Sequence, residues 1–447
     1  MAVVTPRSAG PRRAGALMTR PVLVKRASSV VISHPSRQHS YETALAAQQA
    51  GLLFRYLTSF YRTGRPLLPR ISFAIPSALK ARMDVELRRR WHPDLDPGLV
   101  ETLPLAHLAF QVARRAVPRL EDVFVGVGRA ADHAFDRRVA RWLLQAPQPG
   151  LVHGFEGGAL ETLRTAHRMG CATVLDVTSR HEDYVRLYFE EAQRWGMRPQ
   201  RHPAWHSQRV LQERLAADVV LVPSGATAGV LRDAGVPDER ITVLPYGADP
   251  ERFTPPPPGG NGRFRVLFAG HIGLRKGVIY LLQAWSRLRL PAAELLLLGD
   301  EEPHGRRILA EYRGLYRRLK WIPHTGVPGF MAESDLLVLP SLIEGSPLVV
   351  YEAMAAGLPV VTTENARAVV RDGIDGIVVP IRDPDALREA ISFMYRNPEA
   401  RRRMGAAGRR RIQQSFSWKH YRARLARIHT DLLATGRVAN VALPDTI

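Results

Sequence analysis

Apolar positions along this chain fall in two alternating rhythms: short runs bounded by turn residues, and longer stretches in which apolar residues recur every three to four positions. In the first half, Ser29–Ser33 is followed by Tyr41–Thr63 at helical period. The same order recurs at Gly150–His153 with Ala159–Met169, at Ala172–Val177 with His181–Trp195, and at Ala217–Pro223 with Ala226–Ala234. Strands buried on both faces read as short unbroken apolar runs, and strands alternating with helices predict βαβ units around a parallel sheet. Ser77–Val117 carries charge and aromatics without a strand pattern, and reads as an inserted helical region lying on that sheet.

A second alternation runs from Phe264–Ala269 through Val278–Leu288, Ala293–Gly299, Arg306–Arg318, Ser334–Leu339, Val349–Ala356, Pro359–Thr363 and Gly376–Val379 to Pro384–Arg396. Between the two, Pro255–Gly260 reads PPPPGG and is followed by Asn261 and Gly262. Such a run holds neither helix nor ladder, because proline lacks the N–H and fixes φ. The predicted architecture is α/β: two doubly wound parallel-sheet domains, residues 29–254 and 263–414, joined by a linker at 255–262. Residues 1–28 carry six basic and no acidic side chains and no secretory-signal pattern, and read as a basic disordered tail. Residues 415–447 read as a long basic helix, Ser415–Ala434, and a tail.

Composition narrows the function classes. The 447 residues suffice for two or three domains. A lone Cys171 excludes a disulfide framework and a multi-cysteine zinc module. No uncharged apolar run reaches the roughly 18 residues that cross a bilayer. The net charge of +21 points to nucleic acid, anionic lipid or a phosphorylated small molecule. Only five residues are lysine, so nearly all the basicity is arginine and part of it reflects codon usage rather than a partner.

The chemistry concentrates in Pro340–Val361, PSLIEGSPLVVYEAMAAGLPVV. A strand ending at Leu339 runs into a turn; Ser346 suits a helix N-cap, Pro347 the first helical position, and Gly357 the end before Pro359. The positive end of that helix presents N–H groups of Ser346, Leu348 and Val349 to hydroxyl or anionic oxygens. Glu344 precedes the helix and Glu352 lies in it, so two carboxylates facing one cleft can accept hydrogen bonds from sugar hydroxyls. Taken alone, such a pair is more often a surface glutamate plus a helix glutamate with an arginine partner. Upstream, Phe268–Gly277 reads FAGHIGLRKG and sets Arg275 and Lys276 on a glycine-bearing loop after a strand. A charged pair there can neutralise a diphosphate leaving group, although an isolated pair on an arginine-rich chain reads as exposed charge.

Together these segments resemble the E-x7-E retaining glycosyltransferases of family 4, whose GT-B fold has two Rossmann-like domains facing a central cleft. The resemblance also covers VLPYGADPERF (Val243–Phe253), LLLLGD (Leu295–Asp300), the nucleobase-flanking Ile322–Val327, and VVRDGIDGIVVPIRDPDAL (Val369–Leu387). It implies a nucleotide-diphosphate sugar as co-substrate, no other cofactor and no metal. Arg275 and Lys276 would bind the diphosphate, with Gly270 and His271 in the same loop, and His271 stands where the family usually has an arginine. Glu344 would orient sugar hydroxyls, Glu352 would hold the ribose, Gly345, Ser346, Leu348 and Val349 would supply amides to the sugar, and Val327 would flank the base. His181 is the match to a family histidine near the donor sugar, with Asp176 and His153 as competitors. The family's glycine pair in the first loop has no counterpart in His34–Tyr41, HPSRQHSY.

The resemblance also implies retention: the acceptor hydroxyl attacks on the leaving-group face and a donor phosphate oxygen helps take its proton. The expected partners are the donor and a saccharide or lipid-linked acceptor, with peripheral contact to anionic membrane as a candidate and no nucleic acid, on the cytoplasmic side. Rival readings are a nucleotide-sugar epimerase of the same fold and a basic binding protein without turnover. Gly126, Gly128 and Ala131 imitate a dinucleotide fingerprint but lack the acidic residue about twenty positions on. Asp94 with Asp96 follows no strand, and Asp383 with Asp385 reads as a helix cap. The clusters Arg401–Arg403 and Arg409–Arg411 read as a solvated helix face or a lipid contact.

Overall fold

The first alternation folds into a seven-stranded parallel sheet in the computed structural model, which describes residues 28–62, 90–103, 121–199, 204–255, 262–302, 304–320 and 322–438. Its strands are β1 (Val30–His34), β2 (Leu53–Thr58), β3 (Val100–Thr102), β4 (Leu151–Phe155), β5 (Ala172–Asp176), β6 (Val219–Val222) and β7 (Ile241–Val243), in the order β3-β2-β1-β4-β5-β6-β7. Helices α1 (Ser40–Gln49), α2 (Glu121–Gln145), α3 (Leu160–Arg168), α4 (His181–Arg194), α5 (Ala204–Ala216) and α6 (Gly225–Asp233) connect them. β1, β4 and β5 are buried along their whole length, which is why they carry no polar alternation.

The second alternation gives a six-stranded parallel sheet, β10-β9-β8-β11-β12-β13. Its strands are β8 (Phe264–Ala269), β9 (Ala293–Leu298), β10 (Arg317–Leu319), β11 (Leu336–Leu339), β12 (Val360–Thr363) and β13 (Gly376–Val379). Helices α7 (Val278–Arg287), α8 (Gly305–Glu311), α9 (Val327–Ala332), α10 (Leu348–Ala355), α11 (Pro384–Arg396), α12 (Pro398–Ser415) and α13 (Trp418–Thr435) complete the chain. In both sheets the strand order turns back beside its first strand, between β1 and β4 and between β8 and β11. At such a switch point an open α/β sheet leaves a crevice outside its strand ends.

Two expectations are corrected. Tyr41–Thr63 is not one helix: α1 stops at Gln49, Gly51 turns the chain at φ +68°, and the half-apolar LFRYLT run becomes β2. Ser77–Val117 lies largely outside the described residues. Its described part holds the edge strand β3, paired Tyr56 with Val100, where no strand pattern is visible because three half-buried residues are too few to show one. The tail at 1–27 and residues 256–261 of the linker also lie outside them.

The lobes are joined twice. The first crossing follows β7 through Leu244 and Ala248. The second, between α12 and α13, lies beside it: the Ala248 N–H donates to Phe416 O at 3.1 Å and the Trp418 N–H to Ala248 O at 3.2 Å. Gly247 is needed there, since a Cβ would stand 2.4 Å from the Ser417 carbonyl carbon. Helix α13 then packs on the first lobe, with Thr43 Oγ1 3.1 Å from Tyr421 Oη and His153 Nδ1 3.0 Å from His429 Nε2, so the basic helix has its partner inside the molecule. Three of the clustered arginines also turn inward: Arg401 to Asp335, Arg409 to the carbonyls of Pro250, Phe253 and Ala355, and Arg411 to Val369 O. Arg402, Arg403 and Arg410 are exposed. No helix among the described residues is long and apolar enough to cross a membrane.

Candidate active site

The switch point of the second sheet is built from the loop after β8 and the loop after β11, and glycines let the two interlock. Gly277, at φ +63°, has no room for a Cβ, which would stand 2.0 Å from Pro340 O. The Leu342 N–H donates to Arg275 O at 2.9 Å and stitches the loops together. Gly270, at φ +153°, leaves room for the Lys276 stem, whose Cε would lie 3.4 Å from an added Cβ.

These loops bring three predicted residues to one point. Glu344 Oε1 accepts from Arg275 Nη1 at 2.8 Å and lies 2.6 Å from Lys276 Nζ, and all three side chains are largely buried. Burial pushes the Glu344 carboxyl up, but Lys276 and then Arg275 outweigh it and hold the group below its usual range. Burial presses Lys276 below the ordinary lysine value, partly offset by Glu344. Arg275 is pushed down by burial and raised more by Glu344 and by Glu302. Glu302 was not singled out from the sequence; it packs against Gly273, where a Cβ would stand 2.1 Å from Glu302 Oε2.

Helix α10 opens on this cluster, one residue later than expected. Ser346 is not its cap: the N-cap position is Pro347 and no side chain caps it, because Ser346 Oγ is engaged with Tyr351 Oη at 2.9 Å. The N–H groups of Leu348 and Val349 belong to the first turn and have no acceptor within the helix. Glu352, one turn in, is 2.7 Å from His324 Nε2. Arg252 Nη2 donates to His324 O at 2.7 Å and lies 3.0 Å from His324 Nδ1. Arginine is a donor only, so Nδ1 accepts and Nε2–H donates to Glu352. Val327 starts α9 three residues after His324, and His271 is exposed in the β8 loop.

The first lobe closes on Gly345. Ser224 Oγ donates to Gly345 O at 2.9 Å, and a Cβ on Gly345 would stand 2.1 Å from Thr178 O. Arg180 Nη1 donates to Asn365 Oδ1 at 3.1 Å on the same rim. The described contacts of His181 lie within its own lobe. It leads α4 and turns back on its own lobe, Nε2 2.9 Å from Ser207 Oγ, and burial lowers its pKa. Its competitors are buried deeper: Asp176 Oδ2 is 2.8 Å from His39 Nε2, and His153 pairs with His429.

The corresponding helix of the first lobe is occupied by its own chain. Glu213 accepts from the N–H groups of Gly157 (2.5 Å), Ala159 (3.0 Å) and Leu160 (3.2 Å), and Asp136 from those of Glu161 and Thr162 (both 2.8 Å). Both carboxylates are fully buried and Arg209 bridges them. Gly157 and Gly158 follow β4 at this helix start.

The decoys are structural. Gly126, Gly128 and Ala131 lie within α2. Asp96 accepts from Gly98 N at 2.8 Å, and Asp383 caps α11 through Asp385 N and Ala386 N. Among the described residues, no group of three or more His, Cys, Asp or Glu side chains is placed to hold a metal ion.

Comparison with known proteins settles the family. Residues 263–397 match the family model of the group 1 glycosyl transferases, and residues 109–252 match that of glycosyltransferase family 4. The chain belongs to the group 1, family 4 glycosyltransferases. It is 29% identical over 255 residues to the MMP alpha-(1->4)-mannosyltransferase of Mycolicibacterium hassiacum, a match covering 54% of this chain and 61% of that protein. It is 30% identical over 237 residues to the GDP-mannose-dependent alpha-(1-6)-phosphatidylinositol monomannoside mannosyltransferase of Mycolicibacterium smegmatis, covering 47% and 62%. The chain thus matches about three-fifths of the length of these curated relatives. The sucrose-phosphate synthase of Thermosynechococcus elongatus superposes with a TM-score of 0.62 at 19% identity, covering 91% of this chain and 99% of that one. Anabaena Alr3699/HepE in complex with UDP gives 0.60 at 14%, covering 89% and 98%. With these likenesses, the two parallel-sheet domains are a GT-B fold.

Proposed function

We propose that this family 4 member transfers a hexosyl unit, with retention, from a nucleotide-diphosphate sugar to a hydroxyl of a saccharide or lipid-linked acceptor. One observation carries the reading: Arg275, Lys276 and Glu344 meet at the switch point of the second sheet, beside the uncapped start of α10. When the bond from sugar C1 to the diphosphate oxygen breaks, charge grows on the leaving group, and two cations and a helix start already in place stabilise it. The acceptor oxygen forms the new bond to C1, its proton passes to a donor phosphate oxygen, and the nucleoside diphosphate departs. Glu344 holds the cations and orients sugar hydroxyls; Glu352 takes the ribose through the oxygen that His324 leaves open. No metal enters this reading. The alpha linkage in the names of the two mannosyltransferases above supports retention, and the donor named for the second makes GDP-mannose the first to try, with UDP-glucose as the comparison.

The test offers radiolabelled GDP-mannose and UDP-glucose with saccharide and lipid-linked acceptors. Transfer with retained anomeric configuration, lost in Lys276→Ala, supports the reading; inversion, or turnover unchanged in that variant, removes it. Epimerised donor without transfer would favour the epimerase alternative. Peripheral contact with anionic lipid on the cytoplasmic face is part of the proposal and rests on the exposed Arg402, Arg403 and Arg410. Equal sedimentation with neutral and anionic liposomes would remove it.

A further inference from the structure

Gly345 stands in the loop that carries Glu344, and what demands a glycine there is not its own backbone conformation. Its φ lies outside the left-handed region, so alanine could take the same loop shape. The demand comes from the other lobe. An added Cβ would stand 2.1 Å from Thr178 O, 3.0 Å from Thr178 C and 3.6 Å from Pro223 Cγ. These groups follow β5 and β6, so two loops of the first lobe converge on one atom of the second.

The same residue makes a polar contact across the interface. Ser224 Oγ lies 2.9 Å from Gly345 O, with Thr227 Oγ1 at 3.5 Å. Ser224 also caps α6, accepting from Thr227 N at 3.2 Å. One hydroxyl therefore uses a lone pair for its own helix and its hydrogen for the opposite lobe. The Gly345–Ser346 peptide is planar and trans, so a carbonyl turned onto Ser224 turns the Ser346 N–H the other way, away from the first lobe.

We propose that Gly345 is a contact point on which the lobes close, alongside the pairs Arg180–Asn365, Tyr280–Glu191 and Arg382–Glu191, and that Ser224 is a positioning residue that fixes the orientation of the Gly345–Ser346 peptide only when they are closed. The inference rests on the reading of the cleft as a nucleotide-sugar site. On that reading the second lobe binds the nucleotide; the inference adds that the closed geometry that permits transfer depends on a hydrogen at position 345. Water is excluded from the site in the same step.

The experiment compares wild type, Gly345→Ala, Ser224→Asp and Ser224→Thr. Calorimetry with UDP and GDP reads affinity, turnover with UDP-glucose and GDP-mannose reads closure-dependent chemistry, and thermal unfolding reads integrity. Small-angle scattering reads lobe spacing, in the ligand state in which wild type is most compact. Gly345→Ala is expected to bind nucleotide within about threefold of wild type, to lose about a hundredfold in kcat, and to be more extended. Ser224→Asp keeps the α6 cap but replaces the 2.9 Å donor to Gly345 O by a carboxylate, leaving only the 3.5 Å contact of Thr227, so its unfolding midpoint holds while kcat falls; Ser224→Thr restores kcat. Equal compactness of Gly345→Ala and wild type overturns the proposal, as does nucleotide affinity lost in step with kcat, or a Ser224→Asp enzyme as fast as wild type. A wild type that binds neither nucleotide overturns instead the reading of the cleft, and the scattering comparison still decides the closure contact.

Discussion

In the first lobe, the helix after switch-point strand β4 begins with its amides bonded to two buried carboxyl groups, those of Glu213 and Asp136. In the second, the helix after switch-point strand β11 begins at Pro347 with no capping side chain, facing Arg275 and Lys276. The two sheets share a strand order and a crevice, so topology alone would offer an anion site in each. The difference is in what fills the helix start. Glu213 and Asp136 make the first a structural joint between α2, α3 and α5, and the proposed diphosphate site lies in the second.

The comparison breaks most visibly at the second lobe's cations. Lys276→Ala should lower turnover by about a hundred- to a thousandfold, the usual effect of removing one preorganised donor to a developing anion. Steady-state kinetics on the folded variant checks this, and a loss below tenfold would mean that the cluster is not where charge develops. Its mirror in the first lobe is Asp136→Ala, which strips two helix amides and Arg209 of a buried partner and should cost about 3–5 kcal/mol of stability. Denaturant unfolding measures it, and turnover below the melting range should survive.

The acids of the two lobes also differ in their response to pH. Burial pushes Glu213 up to about 8, against the pull of the Ala159 and Gly157 amides and of Arg209, whereas Glu344 is held low by its cations. A carboxyl whose folded pKa is raised binds a proton more tightly folded than unfolded. Glu213 therefore contributes stability that is present below about 4.5 and lost as pH rises towards about 8. In Glu213→Gln this part of the slope should vanish, as pH-dependent denaturation would show. The smallest expected effect is at His324→Phe, which removes the donor to Glu352: donor KM should rise by about fivefold, near 1 kcal/mol, with kcat little changed. A fall in kcat with KM constant would move Glu352 out of ribose binding.

Which parts were legible in the sequence follows from the range of each interaction. The strands and helices of both sheets are local patterns, as in Phe264–Ala269 or Pro384–Arg396, and so were readable; the Arg275, Lys276 and Glu344 set was readable only through the resemblance to family 4. Helix α13 was visible as a helix, but its docking on α1 was not, because Tyr421 meets Thr43 across most of the chain. The same holds for Glu213 and Asp136, ordinary helix acids until the fold sets them under α3. Ser346 looked like a cap by residue type, and only the Tyr351 hydroxyl, five residues on, shows why it is not. All six clustered arginines looked like surface charge, and the inward turn of Arg401, Arg409 and Arg411 was hidden because nothing local marks a guanidinium whose acceptors are distant in sequence.

The paired crossings at Ala248 and Ser417 bear on how the halves of this molecule can travel. A single tether would leave them free to twist, slide and separate, but two backbones zipped side by side behave as a strap. The closure inferred above would then be a rocking about an axis through that strap, with the mouth of the crevice moving along one arc.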